Sequence, residues 1–165
     1  MKYLVLGAGM MGSVAAFDLA RSMGTTLVTL ADIDGERASA SARAIKSAIV
    51  QPVMLDVNSF DETVRLMAQH DCALGATSFP HNVLLTKAAI ESGIHFLDLG
   101  GNDAVLNEQM RLSDAATHTG ITVVPNCGLA PGLVNIIAAA GARDLRDRFD
   151  PHQGRMCSTE PSAPS

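Results

Sequence analysis

Apolar positions along this chain alternate between two spacings. Short runs of the length of a buried strand are followed by stretches in which apolar residues recur every three or four positions. The runs at residues 3–6, 27–31, 53–55, 71–76, 95–98 and 121–124 are predicted as six strands. The stretches at 14–23, 35–47, 59–69, 82–92, 104–119 and 133–145 are predicted as helices. Helix punctuation supports this reading. Gly24, Gly93 and Gly120 stand where helices should stop, and Asp34 stands where the second should start. Ser59 and Glu62 have the spacing of a capping box, in which each side chain satisfies a free N–H of the other. No repeat or low-complexity block interrupts the alternation. Strands spaced by single helices predict a parallel sheet covered on both faces. Right-handed crossovers then give the strand order 3-2-1-4-5-6.

Composition narrows the picture. A length of 165 residues suits one domain, placed at 1–149, and 47% apolar residues suffice for its core. Aromatics are few and Trp is absent, so that core must be aliphatic and small-residue packing. Residues 150–165 carry neither period and are expected to be a disordered tail. The net charge of −5, without a basic block, argues against nucleic acid and anionic membrane surfaces as partners. No apolar run approaches the ~20 residues of a membrane span. Cys72, Cys127 and Cys157 are an odd, unclustered set, and the chain runs directly into its first strand. Reduced thiols and a cytoplasmic location are expected.

Ligands of such sheets bind beyond the carboxyl ends of the strands. The first of these ends carries Gly7-Ala8-Gly9-Met10-Met11-Gly12 between a strand and a helix. In this setting Gly7 permits the tight turn, Gly9 lets backbone approach a diphosphate, and Gly12 lets the helix pack closely. The free N–H groups at the helix start, at Met10 and Met11, favour an anion. Asp32 closes the second strand about 20 residues further on, where a carboxylate can accept from ribose hydroxyls. It also repels a 2′-phosphate, and Ile33 rather than Arg follows it, so NAD is expected over NADP. Arg37 is the cation that could turn toward a phosphate, and a helix N-cap is the other reading of Asp32. The fold class is thus a six-stranded doubly wound α/β sheet of the Rossmann type.

The remaining strand ends complete the candidate cofactor-binding set with Asp56 and Val57, Ala76 and Thr77, and Gly100, Asn126, Cys127 and Gly128. Asp56 can lie near an adenine or be a solvated strand-end acid. Asp98 can fix its Gly-Gly loop by accepting backbone N–H bonds, or face a substrate. Cys127 can be a nucleophile or a small residue lining the nicotinamide pocket. The small-residue reading is preferred, because Cys is usually a buried small hydrophobe and no His that could serve as the base lies near it in sequence. The five histidines show no metal-ligand spacing, so no metal is expected, and His81 is the one placed near the ligand edge.

Four segments, Leu6-Gly-Ala-Gly-Met-Met-Gly12, Thr29-Leu-Ala-Asp-Ile-Asp34, Phe96-Leu-Asp-Leu-Gly-Gly101 and Pro125-Asn-Cys-Gly-Leu-Ala-Pro-Gly-Leu133, occur in that order. Together they resemble the saccharopine dehydrogenase-like oxidoreductases, and within them the lysine 6-dehydrogenase branch. The resemblance spans about residues 1–150. It implies hydride transfer at an amino-acid C–N carbon with NAD or NADP, and an amino-acid substrate for the full-length enzyme. It also implies a second α/β domain, holding much of the substrate pocket, after the helix near Pro131. This chain stops where that substrate domain would begin. A truncated product, inactive alone and dimeric through the bared surface, is therefore expected. The last helix, with Leu133, Ile136, Ile137 and Ala140 on one face, is expected to pack on the sheet. Two other functions remain open: a non-catalytic dinucleotide-binding or partner module, and a Cys127-dependent aldehyde dehydrogenase.

Overall fold

The first apolar run forms β1 (Lys2–Leu6), whose Leu4, Val5 and Leu6 are wholly buried. A strand buried on both faces belongs in the middle of a parallel sheet. The computed structural model describes residues 1–150 and 155–156, with side chains through residue 144, and places β1 there. Its neighbours are β2 (Leu27–Asp32) and β4 (Cys72–Gly75). β3 (Val50–Met54), β5 (His95–Asp98) and β6 (Val123–Val124) complete the order 3-2-1-4-5-6, all parallel. The predicted order is the observed one. The register aligns Leu6 with Ala31 and Gly75, and Gly75 with Asp98, so the carboxyl ends form one edge.

Successive β1 residues face opposite cores. Leu4 and Leu6 join Phe96, Met67 and Leu85 on one face. Val5 joins Val28, Leu30 and Leu74 on the other. That second face is closed by α1 (Met10–Leu19) and α2 (Gly35–Ile45) through Ala16, Ala38 and Ala42. Small side chains let these helices lie close to the sheet, as expected from the composition. α3 (Phe60–Met67) and α4 (Asn82–Ser92) cover the first face.

Several elements differ from the expectation. α1 starts at Met10 rather than residue 14 and ends at Leu19, so Gly24 lies in the following turn and caps nothing. β3 begins three residues earlier than predicted. Ser59 is the N-cap residue of α3, but its side chain makes no capping hydrogen bond. The helix expected over 104–119 is two helices, α5 (Asp103–Met110) and α6 (Ser113–Thr119). At their junction Leu112 N–H donates to Gln109 C=O at 2.9 Å, a tighter turn than an α-helix makes.

The largest difference is α7 (Leu133–Arg148). Its apolar face does not pack on the sheet: Leu133, Ile136 and Ile137 are 48%, 69% and 62% exposed. Beyond it, Phe149–Asp150 (β7) pairs antiparallel with Arg155–Met156 (β8). The rest of the expected disordered tail lies outside the described residues. Among the described residues no helix is long and apolar enough to cross a membrane.

His70 ties the core of this fold to pH. It is 6% exposed, with Nδ1 2.8 Å from Leu66 C=O and Nε2 2.7 Å from Thr29 Oγ1. A carbonyl only accepts, so Nδ1 carries the proton and Nε2 accepts from the Thr29 hydroxyl. Burial pushes the pKa of His70 below its ordinary value, against the smaller raising effect of the Leu66 carbonyl. The unfolded chain then binds the proton more readily, and the stabilisation is lost as pH falls below the ordinary His value of about 6.5. Urea midpoints between pH 8 and pH 5.5 should fall in the native chain and fall less in His70→Gln. Equal slopes in both would show that another group governs the acid limb.

Candidate functional site

The site is built where β1 runs into α1. Gly7 N–H donates to Ala31 C=O and Ala76 N–H to Leu6 C=O, both at 2.7 Å, which pins the turn between β2 and β4. Gly7 has φ +106°, a conformation costly for a residue with a Cβ, and a Cβ there would also come within 2.6 Å of Ala76 O. A Cβ on Gly12 would overlap the Gly7 carbonyl oxygen, so the first turn of α1 presses directly on the strand exit. Gly9 is different. Nothing lies within 4 Å of the place its Cβ would take, and Gly9 lines a cavity of about 300 Å³. As N-cap of α1 it stands beside the first-turn N–H groups, which have no acceptor inside the helix.

Asp32 stands across from this turn and is only 8% exposed. Its Oδ2 accepts from Ala8 N–H at 2.7 Å and its Oδ1 from Asp34 N–H at 2.9 Å. A carboxylate offers about four acceptor positions, so capacity remains toward the cavity that Asp32 lines. Asp34, not Asp32, is the N-cap of α2, accepting from Glu36 and Arg37 N–H at 3.0 Å. Arg37 reaches back to Asp32 at 3.6 Å and to Asp34 at 3.5 Å, with its side chain 55% exposed.

Eight of the expected residues line this cavity: Gly7, Gly9, Asp32, Ile33, Asp56, Val57, Ala76 and Thr77. Met10, Met11 and Gly12 belong to the first turn of α1 behind Gly9 and do not line it. Asp56 is held in a local turn, accepting from Asn58 N–H at 3.0 Å and Asn58 Nδ2 at 2.8 Å. Ser78, in the loop expected at the ligand edge after the fourth strand, lines the cavity, and so do Leu55 and Asn58, which the sequence does not single out. Leu55 and Asn58 flank the expected pair Asp56 and Val57, the only signal that could have found them. His81 lines it as well, in keeping with its expected place at the ligand edge. The Thr77 Oγ1 is buried and has no hydrogen-bond partner among the described residues.

Gly100, Asn126, Cys127 and Gly128 form a separate cluster around Asp98, outside the cavity. Asp98 is fully buried. Its Oδ1 accepts from Gly100 N–H at 2.7 Å and Asn126 N–H at 3.2 Å, and its Oδ2 from Gln109 Nε2 at 2.7 Å. Its main-chain carbonyl accepts from Cys127 N–H at 2.7 Å. Of the two readings of Asp98, the loop-fixing one is observed. Gly100 has φ +74°, and a Cβ there would overlap Asn126 Oδ1, so this loop closes on itself as tightly as the first. Desolvation, then the Asp98 charge, push the Cys127 thiol above its ordinary pKa. A thiolate nucleophile needs the opposite shift. Among the described residues no cluster of side chains could hold a metal ion.

The open space over Gly9, the free helix-start N–H groups and the spare acceptor positions of Asp32 fit the diphosphate and ribose of a dinucleotide. Fold and site together define a dinucleotide-binding α/β domain. Residues 3–124 match the model of the saccharopine dehydrogenase NADP binding domain, and the chain belongs to that family, the NAD(P)-binding domains of saccharopine dehydrogenase-like oxidoreductases. Among solved structures it is similar to saccharopine dehydrogenase (L-Glu forming) from Saccharomyces cerevisiae. The identity is 22% and the TM-score 0.76, over 89% of this chain and 32% of that one. An NAD-binding oxidoreductase from Klebsiella pneumoniae matches at 19% identity and TM-score 0.56, over 76% of this chain and 34% of that one. GenD2 from gentamicin A biosynthesis, in complex with NAD, matches at 18% and 0.58, over 76% and 34%. At these identities the likeness is one of fold. The chain spans about a third of the length of each.

The glycines separate fold from binding. Gly12→Ala should destabilise the domain by about 1–3 kcal/mol, the usual cost of overpacking. Gly9→Val should unfold at nearly the native urea midpoint yet lose dinucleotide binding in calorimetry, because the isopropyl group enters the cavity. Native affinity in Gly9→Val would reduce the loop to a turn.

Proposed function

We propose that this chain is the NAD-binding half of an amino-acid oxidoreductase. The observation that carries the proposal is the juxtaposition of the open Gly9 face with the buried, hydrogen-bonded Asp32 carboxylate in one cavity. When bound, NAD supplies the hydride acceptor. The chain's own residues bind and orient it. The helix-start N–H groups at Met10, Met11 and Gly12 hold the diphosphate, and Asp32 holds the adenosine ribose. Ile33, Asp56 and Val57 flank the adenine side of the cavity, and Ala76 and Thr77 continue it toward the middle of the sheet. Gly100, Asn126, Cys127 and Gly128 frame the nicotinamide end, with Cys127 as a small lining residue.

NAD is proposed over NADP although the family's name carries NADP. Asp32 repels a 2′-phosphate. Arg37, the cation beside it, is engaged by Asp32 and Asp34 together. The four quoted motifs support placement near the lysine 6-dehydrogenase branch, with an amino acid as substrate and the cytoplasm as location. The exposed face of α7 supports a homodimer. The substrate pocket of such an enzyme needs residues beyond this α/β unit, so the chain alone is proposed to be inactive.

Calorimetric titration should give at least tenfold tighter binding of NAD than of NADP, corresponding to about 1.4 kcal/mol. Asp32→Asn should weaken NAD and narrow the gap. Tighter NADP binding by the native chain would overturn the cofactor assignment. With NAD and lysine, or other amino acids, absorbance of NADH should not rise above background. Robust turnover would contradict the proposed dependence on further residues.

A further inference from the structure

A second cavity, of about 260 Å³, lies on the other side of the Asp98 cluster, between α4, the α5–α6 junction and β6. Its walls are mixed, apolar from Met110, Leu112, Ala116 and Ile121 and polar from Ser113, Thr117 and Thr122, and no charged side chain lines it. Two buried polar residues, Thr86 and Gln109, 1% and 5% exposed, also line it.

Hydrogen bonding fixes how Gln109 faces this space. The Thr86 hydroxyl donates to Asn82 C=O at 2.8 Å, so its oxygen is left to accept. Gln109 Nε2 donates to that oxygen at 2.9 Å and to Asp98 Oδ2 at 2.7 Å, which uses both amide hydrogens. The flipped amide would set its oxygen against the Asp98 carboxylate, so the orientation is determined. Gln109 Oε1 accepts no hydrogen bond from the described residues. It is not among the chain's sealed, unpartnered polar atoms, so it opens onto the cavity that Gln109 lines.

We propose that this cavity is a second ligand site, for a small uncharged molecule with an apolar body and one O–H or N–H donor. The donor meets Gln109 Oε1 and the body displaces water from the apolar walls. The site is distinct from the dinucleotide cavity, and no residue is shared between them. Its occupant is also connected to the strand-end loops. A donor on Oε1 polarises the amide and strengthens the Nε2 bond to Asp98. That carboxylate in turn holds Gly100 and Asn126 N–H. Occupancy therefore tightens the loop cluster proposed to frame the nicotinamide end of the dinucleotide.

Phenol and toluene test this as probes, since they match in shape and only phenol carries a donor. In nitrogen-15 spectra of the full chain, phenol should shift the Gln109 side-chain amide and the Thr122 and Val123 N–H. The Gly100 and Asn126 N–H should follow with the same affinity. Phenol should bind about tenfold more tightly than toluene, because toluene leaves the buried Oε1 unpaired. Ala116→Leu, which fills the cavity, should abolish the phenol shifts while the spectrum stays dispersed; Thr117→Leu serves if that variant fails to fold. Gln109→Met should bring phenol down to the toluene level. Equal affinities for the two probes, shifts that map elsewhere, or phenol binding retained in the filled variant would overturn the proposal.

Discussion

The hydrogen bond from Ala8 N–H to the Asp32 carboxylate joins residues 24 positions apart, and the geometry of the dinucleotide site rests on it. It ties the glycine turn to the end of the neighbouring strand. A hydrogen bond to a buried charged group is stronger than an ordinary one, and leaving either partner unpaired is costly. With the turn held there, Gly12 can press against Gly7 and fix the direction of α1, while Gly9 stays open. The same carboxylate that locks the loop thereby faces the cavity, in the space proposed for the ribose hydroxyls. Fold and binding chemistry meet in one side chain.

Asp98 makes the contrasting use of a buried carboxylate. It too closes a strand and receives backbone N–H groups, from Gly100 in the glycine loop that follows it and from Asn126 in the loop after β6. Gln109 takes its second oxygen, and Asp98 has no exposed surface. Asp32 therefore keeps acceptor capacity toward a cavity, whereas Asp98 serves as a hub that fixes loops. Two strand-end acids at equivalent places in the topology differ in role because one borders open space and the other is sealed by α5.

The parts legible in the sequence are those set by local chemistry and by the period of the strands. The Gly7–Gly12 spacing, the Asp34 cap, the α4 bounds and the strand order follow from turns, caps and crossover handedness. These act over a few residues or through general topology. Just before the break between α5 and α6, Gln109 is anchored to Asp98 and Thr86, a tertiary network invisible to a helical period. The Ser59–Glu62 pair has capping-box spacing, yet the Ser59 side chain makes no cap bond, because spacing alone does not set a rotamer. The α7 stripe marks a face suited to burial, but a stripe does not say what buries it. Placement of Gly100, Asn126 and Cys127 beside Asp98, rather than in the Gly9 cavity, likewise needed three-dimensional register.

NAD is proposed to lie across the Gly9 face against Asp32. The most direct test is a nitrogen-15 titration of the native chain with NAD, followed amide by amide. Saturable shifts are expected, concentrated at Ala8, Gly9, Met10, Met11, Ile33 and Thr77. The amides of α6 and β3 should barely move. Saturable shifts confined to another surface, or none at millimolar NAD, would contradict this placement.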